Sequence, residues 1–393
     1  MTSAFLSRRT ILKGLGSAGC SAAAWPFMSG ITMASAPWDA RLVVIVLRGA
    51  VDGLDVVRPV GDPAFAGLRS GFGNGVHDLD GFFALNAGLS QLMPLWDAGE
   101  LAFAHAVSTP YRNERSHFDG QNMLEAGMGP GSAPGERRDG WLNRLLQASP
   151  GIHMETGFAI GRGDLRILAG DAPVANWSPD SRLSLGSAAE QLLVRMYRSD
   201  PLFRDAAAEA LVLSRDTEGL QSASARTPGR PERAIAEFAA SRMRGATRIA
   251  SFSLSGWDTH RAQAREMPGL LGRLSDTILT LQRGLGPVWS ETAILAVTEF
   301  GRTVRQNGSQ GTDHGTGGVM LMAGGAVRGG VVYTDWPGLS EENLLDRRDL
   351  MPTADVRGYA GAVMQGLFGL EQSMIERHVF PGLDLAGLPE VVR

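Results

Sequence analysis

Leu42-Val43-Val44-Ile45-Val46-Leu47, running directly into Arg48-Gly49-Ala50-Val51-Asp52-Gly53-Leu54-Asp55, decides the fold. The apolar part is a run of strand length with no polar face, made of β-branched residues and leucine. A strand that turns neither face to water belongs inside a sheet covered on both sides, the habit of parallel sheets. Leu101–Val107, Arg248–Leu254, Ala293–Val297 and Gly318–Met322 repeat the pattern. Helical periodicity fills the intervals at Phe118–Ala126, Trp141–Ala148, Ala262–Arg283 and Arg357–Phe368. Strands alternating with helices predict an α/β class, a doubly wound and mostly parallel sheet. Residues 187–244 read as nearly all helix, broken at Thr227-Pro-Gly-Arg-Pro231, and are expected to form a helical insert.

Outward on the N-terminal side, Ser7-Arg8-Arg9-Thr10-Ile11-Leu12-Lys13 is a twin-arginine export pattern. A weakly apolar stretch follows to about Met28, then the cleavage pattern Ala34-Ser35-Ala36. Residues 1–36 are expected to be a signal peptide, with cleavage after Ala34 as the alternative, and 37–393 the folded domain. That places the protein in the periplasm or otherwise outside the cytoplasm, with the twin-arginine translocase as its partner during export. The apolar stretch falls short of the ~20 residues of a membrane span, so no transmembrane span is expected. Cys20 lacks the leucine three positions earlier that a lipoprotein site carries, which makes lipid attachment the minor reading.

The leader takes with it the only cysteine, Cys20, and the only lysine, Lys13. Disulfides, thiolate nucleophiles, cysteine-ligated metals, Walker-type phosphate loops and Schiff-base chemistry are thereby excluded from the mature chain. The chain holds 37 basic and 41 acidic residues. Three of the basic and none of the acidic residues lie in the leader, leaving 34 against 41, net −7. An acidic exported chain is a poor candidate for nucleic-acid binding.

What remains for chemistry gathers in loops next to the strands, where doubly wound sheets hold ligands. Arg48 to Asp55 follows the first strand, and Tyr111-Arg112-Asn-Glu-Arg115-Ser116-His117-Phe-Asp119 follows the second. Asp258-Thr259-His260 comes later, then Glu299 and the glycine-rich turn Gly311-Thr-Asp313-His314-Gly-Thr-Gly-Gly318. Carboxylate oxygens and neutral imidazoles both ligate divalent metals. Ser116 opens a predicted helix, where it is either a nucleophile or, with Asp119 three residues on, a helix cap. Arg112 and Arg115 are each either an anion-binding fork or a surface charge. His117 reads as a ligand or a helix-surface residue, and Glu299 as a substitute ligand or the partner of Arg302. His77, His105 and His153 are expected in structural or solvent-facing roles. Ser108-Thr-Pro-Tyr-Arg112 fits the short Ser-x-Pro-x-Arg sulfatase pattern without its usual continuation, which reads as coincidence.

Five motifs carry a resemblance: Leu47-Arg-Gly-Ala-Val-Asp-Gly-Leu-Asp55, Ser116-His-Phe-Asp119, Gly256-Trp-Asp-Thr-His260, Thr298-Glu-Phe-Gly-Arg-Thr303 and Thr312-Asp-His-Gly-Thr-Gly-Gly318. In this order, and over nearly the whole mature chain, the sequence resembles the exported DUF1501 family of the alkaline phosphatase and sulfatase-like superfamily. The resemblance implies an alkaline-phosphatase-like fold and one or two divalent metal ions, such as zinc, manganese or calcium. It implies Asp52 (alternatively Asp55), Asp313 and His314 as ligands of one metal, and Asp258 with His260 as part of a second. Ser116 then takes the nucleophile position and Arg115 binds the anion. The chain departs from the superfamily in having only Thr259 between Asp258 and His260. It also lacks an obvious third histidine for the second site, His378 standing in an unfamiliar Glu-Arg-His-Val-Phe setting. The implied function is an extracytoplasmic metal-dependent hydrolase of a small-molecule or glycan phosphate or sulfate ester. The alternative is a non-catalytic envelope protein that keeps the fold and binds a ligand or partner.

Overall fold

The computed structural model describes residues 36–72, 76–112, 115–133, 136–161, 165–178 and 231–393. Residues 1–35 of the expected signal peptide, and residues 187–230 of the expected helical insert, lie outside the described residues. Nine strands form the central sheet. In chain order they are β1 (Arg41–Arg48), β2 (Leu101–Ser108), β3 (Gly157–Ile160), β4 (Ala175–Trp177), β5 (Ile249–Ser255), β6 (Thr292–Val297), β7 (Gly318–Ala323), β8 (Val331–Tyr333) and β9 (Ala354–Asp355). Across the sheet the order is β8-β2-β7-β6-β1-β5-β3-β4, with β9 also paired to β2.

β1 sits in the middle because its alternating side chains serve two apolar layers at once. Val43, Ile45 and Leu47 join one core and Leu42, Val44 and Val46 the other. Each of these side chains, removed from water, stabilises the fold by roughly 1.5–3 kcal/mol. β1 pairs in parallel with β5 on one side and β6 on the other, Ile45 lying opposite both Phe252 and Ala296. The first layer is closed by α3 (Pro231–Met243) and α4 (Gln263–Leu285). Along α4, Met267, Leu271, Leu274, Ile278, Leu281 and Leu285 recur at helical spacing and form the buried stripe. The second layer is closed by α2 (Trp141–Gln147) and α5 (Val356–Phe368). α3 is the described part of the expected insert, and it packs on the main sheet. The remaining helix used below is α1 (His117–Ala126).

The sheet is mostly parallel, as the apolar runs predict, with one strand reversed. β7 runs antiparallel to both β2 and β6. The reversal has a consequence for the site. The turn that precedes β7 arrives at the same sheet edge as the segments that follow β1, β2, β5 and β6. Glycine permits the close contacts there. Gly49 (φ +121°) lies so near the Trp257–Asp258 backbone that a Cβ would stand 2.5 Å from the Asp258 amide nitrogen.

Candidate metal centre

Three segments converge at that edge. Asp258 and His260 come from the turn after β5, His117 from the first residue of α1, and His314 from the turn before β7. The Nε2 atoms of the three imidazoles close on one Asp258 oxygen. Oδ1 of Asp258 is 3.0 Å from Nε2 of His260, 3.2 Å from that of His314 and 3.4 Å from that of His117. His260 Nε2 and His314 Nε2 are themselves only 3.0 Å apart. His117, Asp258 and His314 each offer an atom within 4.8 Å of the others.

Each ring has an acceptor on its far side. His117 Nδ1 lies 2.8 Å from Glu299 Oε1, His260 Nδ1 3.2 Å from Asp313 Oδ1, and His314 Nδ1 2.8 Å from the Arg115 carbonyl. Carboxylates and carbonyls only accept, so a neutral ring that keeps its outer bond holds its proton on Nδ1 and turns an unprotonated Nε2 toward Asp258. Lone pairs from three rings then face one another and a carboxylate. His117 Nε2 is buried with no hydrogen-bond partner. Such a gathering of unprotonated donors is electrostatically unfavourable unless a cation sits among them. Metal-binding histidines characteristically donate their other nitrogen to a carboxylate or carbonyl, as all three do here. The residues therefore fit a divalent metal, with His117, His314 and Asp258 as the mutually close set and His260, 3.0 Å from both Asp258 Oδ1 and His314 Nε2, beside them as a fourth donor. Three nitrogens and one carboxylate suit zinc or another borderline transition metal better than calcium, which takes oxygens.

The charges around the cluster agree. Burial opposes ionisation of Asp258, but the Arg302 hydrogen bond and charge outweigh it and hold the carboxyl below its ordinary range. Arg302 is itself buried and donates to Asp258 Oδ1 at 2.5 Å, to the Gly49, Ala50 and Thr312 carbonyls, and to that of Trp257. The hydrogen bond from His117 to Glu299 raises the imidazole's pKa, making the ring a better ligand. Burial pushes the His314 pKa down, keeping that ring neutral. Asn307, donating to Asp313 at 2.9 Å, holds that carboxyl below its usual range, with His260 adding to the effect.

Several sequence-expected residues stand elsewhere. Asp52 is 1% exposed and grips Arg69 through both oxygens, at 2.6 and 3.0 Å, while accepting a further bond from Gln263. Its lone pairs are thus engaged within the protein, and a guanidinium occupies the place of a cation beside it. Burial works against its charge, but Arg69 and Gln263 hold its pKa low. Asp55 is paired with Arg58 at 2.7 Å and is pushed upward by burial and by the neighbouring Asp52 charge. Asp313 orients His260 from behind rather than joining the four inward-facing groups. Glu299 neither replaces a ligand nor pairs with Arg302. Fully buried, it accepts from His117, Gln121, the Gly49 amide and Thr298. Ser116 caps α1, its Oγ accepting from the Asp119 amide at 3.3 Å. Among the described residues no imidazole or carboxylate lies within hydrogen-bonding reach of that Oγ. Arg115 is exposed, in the left-handed region at φ 53°, and contributes its carbonyl to His314. Ser108 is buried on β2 and donates to the Thr109 carbonyl, and Arg112 donates to the Thr109 and Tyr111 carbonyls. His378 is exposed and stands apart from the cluster. His105 is buried in the core, and His77 bonds Ser90.

The one-residue spacing of Asp258 and His260 also finds its reason. Successive bonds from Thr259 N to Trp257 O and from His260 N to Asp258 O tighten this segment. Asp258 and His260 thus face the cluster together while Thr259 turns into the core, fully buried.

A family model described as "Protein of unknown function (DUF1501)" matches residues 98–376, a span that includes all four inward-facing residues. No curated protein matches the chain. Among solved structures the chain is similar to the lipoteichoic acid synthase LtaP from Listeria monocytogenes, at 8% identity and a TM-score of 0.41 over 86% of this chain and 74% of that one. It is also similar to a protein in the alkaline phosphatase superfamily from Vibrio parahaemolyticus, at 12% identity and a TM-score of 0.33 over 74% and 62% respectively.

Proposed function

The chain belongs to the DUF1501 family, proteins of unknown function, and for this member we propose a metal-dependent hydrolase acting outside the cytoplasm on a phosphate or sulfate ester. The observation that carries the proposal is the convergence of three Nε2 atoms on Asp258, each ring held from behind by an acceptor. A cation bound there supplies Lewis acidity toward an ester oxygen and an activated water near neutral pH.

The chain's own residues have separable tasks. His117, His260, His314 and Asp258 bind. Glu299, Asp313 and the Arg115 carbonyl orient the rings. Arg302 keeps Asp258 ionised and turned inward. Arg115 is exposed, its carbonyl holds the His314 ring, and its guanidinium is the proposed contact for an anionic ester oxygen. Ser116 holds the start of α1, and the geometry supports that task over nucleophilic attack. No described helix is long and apolar enough to cross a membrane.

The test is hydrolysis of p-nitrophenyl phosphate, bis(p-nitrophenyl) phosphate and p-nitrophenyl sulfate by zinc- and manganese-loaded protein. Turnover of at least one ester is expected, abolished by chelator, restored by metal, and about 100-fold or more lower in His314→Ala. A metal-loaded protein inert on all three would contradict the proposal.

A further inference from the structure

Near the cluster one side chain makes four hydrogen bonds, two to the loops that carry Asp258, His260 and His314 and two to the acids after β1. Gln263, the first residue of α4, is fully buried. Its Oε1 accepts from Thr259 Oγ1 at 2.9 Å and from Thr312 Oγ1 at 2.7 Å. Its Nε2 donates to Asp52 Oδ2 at 2.7 Å and to Asp55 Oδ2 at 3.0 Å. Carboxylates cannot donate, so the amide has only this orientation, and all of its hydrogen-bonding capacity is used.

The identity of the two threonines matters. Thr259 stands between Asp258 and His260, and Thr312 immediately precedes Asp313 and His314. Gln263 therefore grips both ligand-bearing loops, at the residue between Asp258 and His260 in one and two residues before His314 in the other. The loops are also laced to each other. Thr312 N donates to Thr259 O, Gln263 N to Gln310 O, and Asn307 Nδ2 to His260 O. The lower end of the grip is fixed: Asp52 is clamped by Arg69, which also donates to the Thr303 and Val304 carbonyls, and Asp55 by Arg58.

We propose that Gln263 is a positioning residue for the metal centre, setting the separation of the Asp258–His260 and Asp313–His314 loops through Thr259 and Thr312. The inference rests on the metal-centre reading above and gives the acids after β1 a task that their sequence position does not reveal. They form the anchor of the clamp instead of ligating the metal. Polar partners standing behind metal ligands typically change affinity by about 10–100-fold when removed, and a clamp acting through the backbone falls at the lower end.

The experiment measures zinc affinity by chelator competition, and the visible absorption of the cobalt-substituted protein, in the full chain. The variants are Gln263→Met, the pair Thr259→Val with Thr312→Val, and the pair Thr259→Ser with Thr312→Ser. Gln263→Met and the valine pair are expected to bind zinc about 10-fold more weakly and to show altered cobalt bands. The serine pair, which keeps both hydroxyls, is expected to restore the wild-type values. A merely structural role would lower the melting temperature and leave affinity and spectrum unchanged, and that result overturns the inference while the metal centre stands. If Gln263→Met does not fold, the valine and serine pairs decide alone. Wild-type protein that takes up no zinc overturns the metal-centre reading itself, and the clamp's proposed role with it.

Discussion

Asp52→Asn separates the position's two meanings, ligand and anchor. In the structure the carboxylate is 1% exposed, and among the described residues the cation within bonding distance is Arg69, held at 2.6 and 3.0 Å. Asparagine keeps the shape but leaves the buried guanidinium without a counter-charge. Breaking a buried pair from one side typically costs about 3–5 kcal/mol. With an unfolding entropy of ~2.1 cal/mol/K per residue over a chain of this length, that corresponds to a melting temperature lower by about 5 °C. The effect is expected in chelator, because it does not pass through a metal. Calorimetric melts in chelator at neutral pH, alongside zinc stoichiometry by elemental analysis, provide the assay. Zinc uptake is expected to stay at one per chain. The pH dependence carries a sign as well. Asp52 is held below its ordinary pKa, so the stability it contributes is complete above about pH 4 and is lost as acid drives the pH through its lowered folded value. The deficit of the variant should therefore shrink in acid. Arg69→Met in the same chain should recover part of the loss, since replacing both partners costs less than removing one. An unchanged melting temperature in chelator together with lost zinc would refute the reasoning and return Asp52 to the ligand set.

Three further outcomes follow from particular contacts. His105 is buried, its Nε2 donating to Val57 O and its pKa pushed down by burial to about 4. Against an unfolded value of ~6.5, its contribution is complete above pH 6.5 and falls by about 3 kcal/mol as the pH drops to 4; urea titrations of chelated protein should show a shallower decline in His105→Gln, and equal slopes would contradict this. Ser116→Ala should cost ~1 kcal/mol of stability as a lost cap and change ester turnover less than about 10-fold, whereas a 1000-fold loss with a small melting shift would make Ser116 the nucleophile. Gly311→Ala would set a Cβ 2.2 Å from the His260 carbonyl carbon, forcing the two loops apart; calorimetric titration should find zinc binding about 10-fold weaker, and unaltered affinity would show that the loops tolerate the separation.

The central sheet was legible in the sequence because its strands are buried on both faces, and continuous apolar runs such as Leu42–Leu47 and Ala293–Val297 announce that state directly. β3, β4, β8 and β9 were missed, being strands of only 4, 3, 3 and 2 residues, too short to announce themselves as runs. The loops of the site were legible as polar, glycine-rich segments beside strands. Which polar residue faces which was not. Asp52 and Asp258 look alike in sequence, and what divides them is Arg69, a charge 17 positions away that folds back onto the first. Gln263 carries no sequence signal at all, since an amide at a helix start has many ordinary uses. His117 was open between ligand and surface until Glu299, 182 residues later, was seen to hold its Nδ1.

One metal ion held by His117, His260, His314 and Asp258 is the proposal on which the other roles depend. Elemental analysis of wild type and His314→Ala, purified without a chelating tag and passed through gel filtration after zinc titration, is the decisive experiment. One zinc per wild-type chain is expected, and a variant that folds but retains almost none. Folded wild type that takes up no metal, or a variant that keeps its full complement, would contradict it.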